Sequence, residues 1–303
     1  MRIGIMIGSD RLPRTLDEII SLVQAAEAAG LDSAWMANIF GFDAIMAMTM
    51  AARETTRIMV GTAVTPTYPR HPVAIAQQAL TAAAATDNRF ILGIGLSHKR
   101  TIEGVYALSY DKPAKHMREY LDILMPALSQ GPINVEGKQY TTRGAQLVAP
   151  EANQPPVVVA ALGPVMLGLA GRMADGTNTW MVGPRTMETH ICKTINTAAE
   201  QAGKQAPMIV GNFPVVVTDK PDDARQQIAE MLSIYGELPS YRSMLDLEGY
   251  ESPVDAALIG NEKTLGARLE EIKASGVTDF GAAIYDLEEG TFDRTLAFLN
   301  AHR

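Results

Sequence analysis

The chain alternates short, almost unbroken apolar runs with longer stretches whose apolar residues recur at helical spacing. The runs predict strands at residues 3–7, 33–37, 58–64, 89–96, 156–161, 177–182, 208–217 and 279–284. Runs of this length without polar alternation suit strands buried on both faces, as in a parallel sheet covered by helices. The first intervening stretch shows the helical pattern most plainly. Thr15-Leu16-Asp17-Glu18 is a capping box; Leu16, Ile19, Ile20 and Val23 form an apolar stripe; and Gly30 stands in the C′ position. Further helices are predicted over 43–54, 73–87, 114–128, 165–174, 185–202, from Pro221 onward, and over 264–274 and 292–301.

Two segments interrupt the alternation. Residues 131–149 hold a hairpin-like insertion with its turn at Glu136-Gly137 or Gly137-Lys138. Residues 238–259 read as a helical and loop insertion. About eight strand–helix units fit either a (β/α)8 barrel or a doubly wound sheet. No Gly-x-Gly-x-x-Gly follows the first strand, which lowers the dinucleotide-binding reading. No linker composition divides the chain, so the expectation is one α/β domain over 1–303, a (β/α)8 TIM barrel with two insertions.

Polar and conformationally special residues gather just past the strands: Ser9, Asp10 and Arg11; Asn38; the loop 65–72; Ser97 and His98; and Leu162-Gly163-Pro164. In parallel α/β folds that end of the sheet carries the chemistry. Leu162-Gly163-Pro164-Val165 opens a helix directly after a strand, where free N–H groups and the helix dipole favour an anion. The plain alternative is an ordinary tight strand–helix turn. Tyr68, Tyr106, Tyr241 and Tyr250 are candidate pocket-lining residues by loop position alone.

Composition narrows the function classes. The 303 residues are 47% hydrophobic, enough for a large core. Net charge is −8 and no basic block stands out, which argues against a nucleic-acid partner. The single cysteine, Cys192, excludes an intramolecular disulfide. The N-terminus is too short for a signal segment before the first strand, and no apolar run approaches the roughly 18 residues of a membrane span. A soluble cytoplasmic protein without a membrane partner is expected. No His and carboxylate residues show metal spacing, so no metal is expected. His116, His190 and His302, with Glu27, Glu270 and Glu271, are expected on solvated helix faces. Trp35 and Trp180 are expected to pack within the barrel.

Gly61-Thr62-Ala63-Val64, the Pro-rich loop after it, the helix bearing Gln77 and Gln78, and Asn88-Arg89-Phe90-Ile91-Leu92-Gly93-Ile94-Gly95 together resemble the bacterial luciferase-like monooxygenase superfamily. Ala160-Ala161-Leu162-Gly163-Pro164 and Ala170-Gly171-Arg172-Met173-Ala174-Asp175-Gly176 extend the resemblance over nearly the whole chain. Its coenzyme F420-dependent branch is the closer match. That resemblance implies a cofactor ring at the C-terminal mouth, backed by a non-prolyl cis peptide at Ala63–Val64. It implies a cofactor site built from Asn38, Ala63, Val64, Thr65, Gly95, Leu96, Ser97, His98, Ala161, Leu162, Gly163, Pro164 and Val165, with the cofactor phosphate at 162–165; Met181 joins the site because it ends the sixth strand at the active face. It also implies a homodimer through the helices after the second and third strands.

Ile39 stands where the sugar-phosphate and alcohol dehydrogenases of that branch carry a catalytic histidine. An isoleucine takes no proton from an alcohol, so the expectation shifts to reduction of a C=C or C=N bond of a small organic substrate. His98 is the candidate catalytic residue, as a proton donor; the plain alternative is a rim histidine that only packs. The expected activity is hydride transfer by F420. The alternatives are an FMN-dependent two-component monooxygenase of the same superfamily and a non-catalytic cofactor-binding barrel.

Overall fold

Eight parallel strands close on themselves in the computed structural model, which describes residues 1–9 and 13–303. They are β1 (Arg2–Ile7), β2 (Ser33–Met36), β3 (Met59–Thr62), β4 (Phe90–Gly95), β5 (Val157–Ala160), β6 (Gly176–Trp180), β7 (Met208–Val217) and β8 (Asp279–Ile284). Each pairs in parallel with the next, and β8 pairs back to β1 with Arg2 opposite Asp279. Closure leaves no free edge in the ring. The expected TIM barrel is therefore present. Asp10 and Arg11, expected on the loop after β1, lie outside the described residues. Among those described, no helix is long and apolar enough to cross a membrane.

The strands are buried on both faces for the reason their sequences suggest. Ile3, Ile5 and Ile7 of β1 pack outward against the helices, while Met6 joins an inner cluster with Trp35, Ile91, Val158, Trp180 and Val210. Trp35 is fully buried, as expected of a packing residue, and a Cβ at Gly61 would sit 2.5 Å from its ring. The capping box at the first helix is half present: the Thr15 hydroxyl accepts from the Glu18 N–H, while the Glu18 carboxylate accepts from the Arg14 N–H.

Strand β3 stops two residues short of its predicted end. The Thr62 hydroxyl donates to the Gly93 carbonyl (2.7 Å) and accepts from the Gly93 N–H (3.0 Å). The side chain thus takes both ladder groups of Gly93, and backbone pairing with β4 lapses from Thr62 to Val64 while the Ala63 N–H still donates to the Met36 carbonyl of β2. The Ala63–Val64 peptide is cis. The chain rejoins β4 through the short strand Thr65–Pro66.

The insertions follow the sequence in outline. Ile133–Glu136 and Thr141–Ala145 form the antiparallel hairpin, with a turn longer than expected. Within 238–259 lie the helix Pro239–Glu248 and a 3-10 turn at Pro253–Ala256, and the strand Leu258–Gly260, which adds to β7, runs one residue past its end. That added strand was not anticipated. Nor was the helix Lys99–Gly104 directly after His98, whose apolar pattern is one residue, Ile102.

Several polar side chains sit where the sequence did not place them. His116 is 2% exposed, stacks on Tyr68 and shares a hydrogen bond with the Thr67 hydroxyl. His190 is half-buried, its Nε2 2.8 Å from the Leu162 carbonyl oxygen. His302 Nδ1 meets the Phe298 carbonyl. The Glu27 carboxylate accepts from the N–H groups of Thr56, Arg57 and Ile58, so it ties the first helix to the approach to β3. Cys192 is buried, and burial pushes its thiol up to about 11, which leaves it unreactive at neutral pH.

Candidate functional site

The C-terminal ends of the strands enclose a cleft with two connected lobes. The first, about 250 Å³, is lined by Asn38, Ile39, Phe40, Pro66, Thr101, Tyr106 and Tyr235 among others. The second, about 270 Å³, is lined by Gly95, Leu96, Tyr110, Ala160, Ala161, Leu162, Gly163, Met166 and Ser240 among others. Ala63, Val64, Ser97, His98, Asn178, Trp180 and Tyr241 belong to both and mark where the lobes meet. Among the described lining residues there is no Lys, Arg, Asp or Glu. The described lining residues thus bring no charge apart from what His98 carries, and they suit a largely apolar ligand with a few polar atoms.

Val64 owes its position to Gly95. A Cβ at Gly95 would lie 2.5 Å from Val64 Cγ2 and 3.0 Å from Ala160 Cβ. The room left by the missing side chain of Gly95 is taken by Val64. The bulge at Ala63–Val64 then presents its surface to both lobes. Asn38 lines the first lobe, and its Oδ1 accepts from the Ala44 N–H, which fixes the side chain at the start of the helix Ala44–Arg53.

The second lobe ends at the helix Pro164–Met173. Gly163 is its N-cap and offers no side-chain cap, and Pro164 supplies no N–H. The first-turn N–H groups of Val165 and Met166 are thus left for solvent or an anion. The wide π-helical turn Met187–Cys192 carries His190 onto the Leu162 carbonyl and braces this turn from outside.

His98 is half-buried at the junction, with Tyr241 at a ring separation of 6.2 Å. Burial lowers its pKa, so it is neutral at pH 7. Tyr241 and Tyr235 lie 5.0 Å apart, and Tyr235 reaches Trp180 at 6.3 Å, which completes an aromatic wall. Burial raises the pKa of Tyr110, Tyr235 and Tyr241, and all three stay protonated as neutral hydrogen-bonding groups.

The floor holds two buried amides. Asn178 on β6 is 6% exposed and Asn212 on β7 is fully buried. Asn212 Nδ2 donates to Asn178 Oδ1 (3.0 Å) and to the Thr179 carbonyl (2.9 Å). Asn178 Nδ2 has no partner.

The structure thus brings together Asn38, Ala63, Val64, Gly95, Leu96, Ser97, His98, Ala161, Leu162 and Gly163 around one cleft. Thr65 and Met181 do not line it: both are buried behind it. Pro164 starts the helix beneath, and Val165 is 62% exposed at its edge. Of the four candidate tyrosines, Tyr106 and Tyr241 line the cleft. Tyr68 stacks on His116 elsewhere, and the Tyr250 hydroxyl accepts from Arg268. Asn178, Tyr110, Tyr235 and the cleft-facing position of Trp180 were missed. Asn178 and Asn212 had a signal, since each is an amide inside a strand otherwise made for burial.

The family model described as luciferase-like monooxygenase matches residues 1–285. The chain is 28% identical over 290 residues to the 5,10-methylenetetrahydromethanopterin reductase of Methanopyrus kandleri; the match covers 90% of this chain and 79% of that protein. Among solved structures, an F420-dependent secondary alcohol dehydrogenase in complex with an F420–acetone adduct superposes with a TM-score of 0.86 at 17% identity, covering 100% of this chain and 99% of that one. The oxygenating constituent of 3,6-diketocamphane monooxygenase from Pseudomonas putida, in complex with FMN, superposes with a TM-score of 0.80 at 16% identity, covering 100% and 97%.

Proposed function

Because the chain belongs to the luciferase-like monooxygenase family, we propose that it is a coenzyme F420-dependent oxidoreductase that reduces a C=C or C=N bond of a small organic substrate. One observation carries the reading: the sequence similarity to a reductase of a methylene-tetrahydropterin runs over nine-tenths of this chain. The cleft fits a flat tricyclic ring. Val64 gives it a face to rest on, the turn at 163–166 offers free N–H groups, and a buried amide donor stands unpartnered below.

Reduced F420, when bound, supplies a hydride; the protein supplies position, exclusion of water and a proton. Ala63 and Val64 would back the ring, with Gly95 and Leu96 beside them. Ala161, Leu162 and Gly163 lead to the phosphate turn. The aromatic wall of Tyr235, Tyr241 and Trp180 keeps water from the reacting face. His98 is the catalytic candidate. Being neutral at pH 7, it donates a proton only from the minor protonated fraction, and that fraction grows as pH falls. The protonated hydroxyl of Tyr241 beside it, or an ordered water, is the competing donor. Ile39 lines the first lobe and offers no base for alcohol oxidation.

A second reading keeps the site and takes FMN, as a two-component monooxygenase; the fold shared with an FMN-bound oxygenase favours it. Fluorescence titration of the purified protein with each cofactor separates the two. Submicromolar FMN binding with no F420 binding overturns the F420 assignment.

A further inference from the structure

Thr179's carbonyl oxygen can only accept a hydrogen bond, so the Asn212 group 2.9 Å away must be its NH2. The same NH2 stands 3.0 Å from Asn178, which therefore presents Oδ1 to it. Turning the Asn212 amide over would set its oxygen against two acceptors. Asn212 has little freedom to move instead: a Cβ on Gly281 would lie 2.0 Å from its Oδ1, so that glycine exists beside it as clearance. One backbone carbonyl thus fixes both amides, and Asn178 Nδ2 is left turned away from Asn212. It is buried, unpartnered and part of a side chain that lines both lobes at their junction. A buried donor without an acceptor is costly, and native structures seldom retain one without use.

We propose that Asn178 Nδ2 is a binding donor for a carbonyl oxygen on the pyrimidine-dione edge of the cofactor ring, oriented by the Asn212–Thr179 relay. The proposal rests on the reading of the cleft as a cofactor site, but not on which cofactor it takes. F420 and FMN share the pyrimidine-dione edge and differ elsewhere in the ring. A ring resting on Ala63–Val64 covers the junction, and its carbonyl oxygens need donors once water is excluded. No Lys or Arg among the described lining residues competes for that role; the other buried, unpartnered donor there, Trp180 Nε1, belongs to the aromatic wall.

The test is cofactor affinity, read by fluorescence titration with F420 and, separately, with FMN, on the wild-type protein, Asn178→Ala and Asn178→Asp. Losing one neutral hydrogen bond weakens binding about tenfold in Asn178→Ala. Asn178→Asp is nearly isosteric and keeps the acceptor for Asn212, but it turns an oxygen toward the ligand's oxygen. Its affinity at pH 8 falls below that of Asn178→Ala, then recovers toward pH 5 as the new carboxyl gains a proton to donate. His98, Tyr106, Tyr110, Tyr235 and Tyr241 are the titratable groups facing the same cleft. Asn178→Ala retains all of them and is the pH control. Should Asn178→Ala fail to fold by thermal unfolding, Asn178→Asp carries the test alone.

If the wild type takes FMN and not F420, the F420 assignment falls, while a matching loss of FMN affinity in the variants upholds the donor. If the wild type binds F420 and the folded variants bind it equally well at every pH, the donor falls and the F420 assignment stands. Binding of neither cofactor overturns both.

Discussion

Replacing Gly95 with alanine should damage cofactor binding more than folding. The added Cβ would stand 2.5 Å from Val64 Cγ2, against ordinary carbon–carbon contact near ~3.5 Å. Val64 must therefore withdraw by about 1 Å, or Ala160, at 3.0 Å, must give way on the other side. Overpacking of this kind costs about 1–3 kcal/mol. The backbone at Gly95 is extended within β4 and its φ is not positive, so alanine fits without strain there. The lower entropy of the unfolded chain returns about 0.4–1 kcal/mol. The net loss is small for a barrel of this size and leaves a folded protein. The surface proposed to back the ring, in contrast, is displaced by the same ~1 Å, which lowers cofactor affinity and, where turnover is read beside it, costs on the order of 10²-fold in rate.

The assay pairs thermal unfolding with fluorescence titration, and two glycines calibrate it. A Cβ on Gly93 would lie 1.8 Å from the Thr62 carbonyl oxygen, a backbone atom that cannot rotate away, so Gly93→Ala should yield little folded protein. A Cβ on Gly163 meets nothing within 4 Å, so Gly163→Ala should melt with the wild type. Gly95→Ala with wild-type affinity for both cofactors would refute the idea that Val64 is the surface behind the ring.

Other outcomes follow from the same geometry. His98→Ala should lower kcat about 10²–10⁴-fold if His98 is the proton donor. Because burial lowers its pKa, the wild-type rate of reduction should climb as pH falls below 6.5, and a flat profile from pH 8 to 5 would exclude the role. Burial pushes the Glu27 carboxyl up, but the N–H groups of Ile58, Arg57 and Thr56, with the Arg57 charge, more than reverse this and leave it lowered. A depressed carboxyl stabilises the fold above its unfolded value of 4.5 and loses that contribution as pH falls through the folded one. Glu27→Gln should therefore melt lower than the wild type at pH 7, with the gap closing in acid; a constant gap would contradict this. Met46 and Met50 are exposed one turn apart on the helix Ala44–Arg53, where a homodimer contact is expected. Sedimentation velocity at micromolar concentration should give a dimer, and Met46→Glu should shift it toward monomer; a monomeric wild type would end that expectation.

The barrel was legible because its signal is repetitive. Each strand is an apolar run that a closed parallel sheet buries on both faces, and each helix shows its own stripe. The turn at 162–165 and the positions Leu96–His98 were legible as cleft-lining candidates because they lie just past strand ends. What stayed hidden depends on contacts far apart in sequence. Nothing around Thr62 announces that its hydroxyl serves Gly93, 31 residues on. Tyr241 reaches the cleft only because the helix Pro239–Glu248 folds over the mouth. His116 lies on a helix with charged neighbours and looked solvated, yet Tyr68 and Thr67 from another element enclose it. Burial there drives its pKa down to about 4, so the ring is neutral within its stack.

The two floor amides explain how a cleft with no Lys, Arg, Asp or Glu among its described lining residues can still orient a ligand. A charged group at the barrel centre would need a counter-ion. An amide brings direction without charge, but only if something prevents its flipping. Asn212 receives that constraint from the Thr179 carbonyl, and the clearance beside Gly281 lets it sit there. Asn178 inherits the constraint through a single hydrogen bond. Its free N–H therefore points by geometry rather than by choice of rotamer. Replacing Gly281 with alanine would press on Asn212 Oδ1, and through it on Asn178, without adding an atom to the cleft. The orientation of Asn178 is thus set by the Thr179 carbonyl together with Asn212 and Gly281, two residues that do not line the cleft.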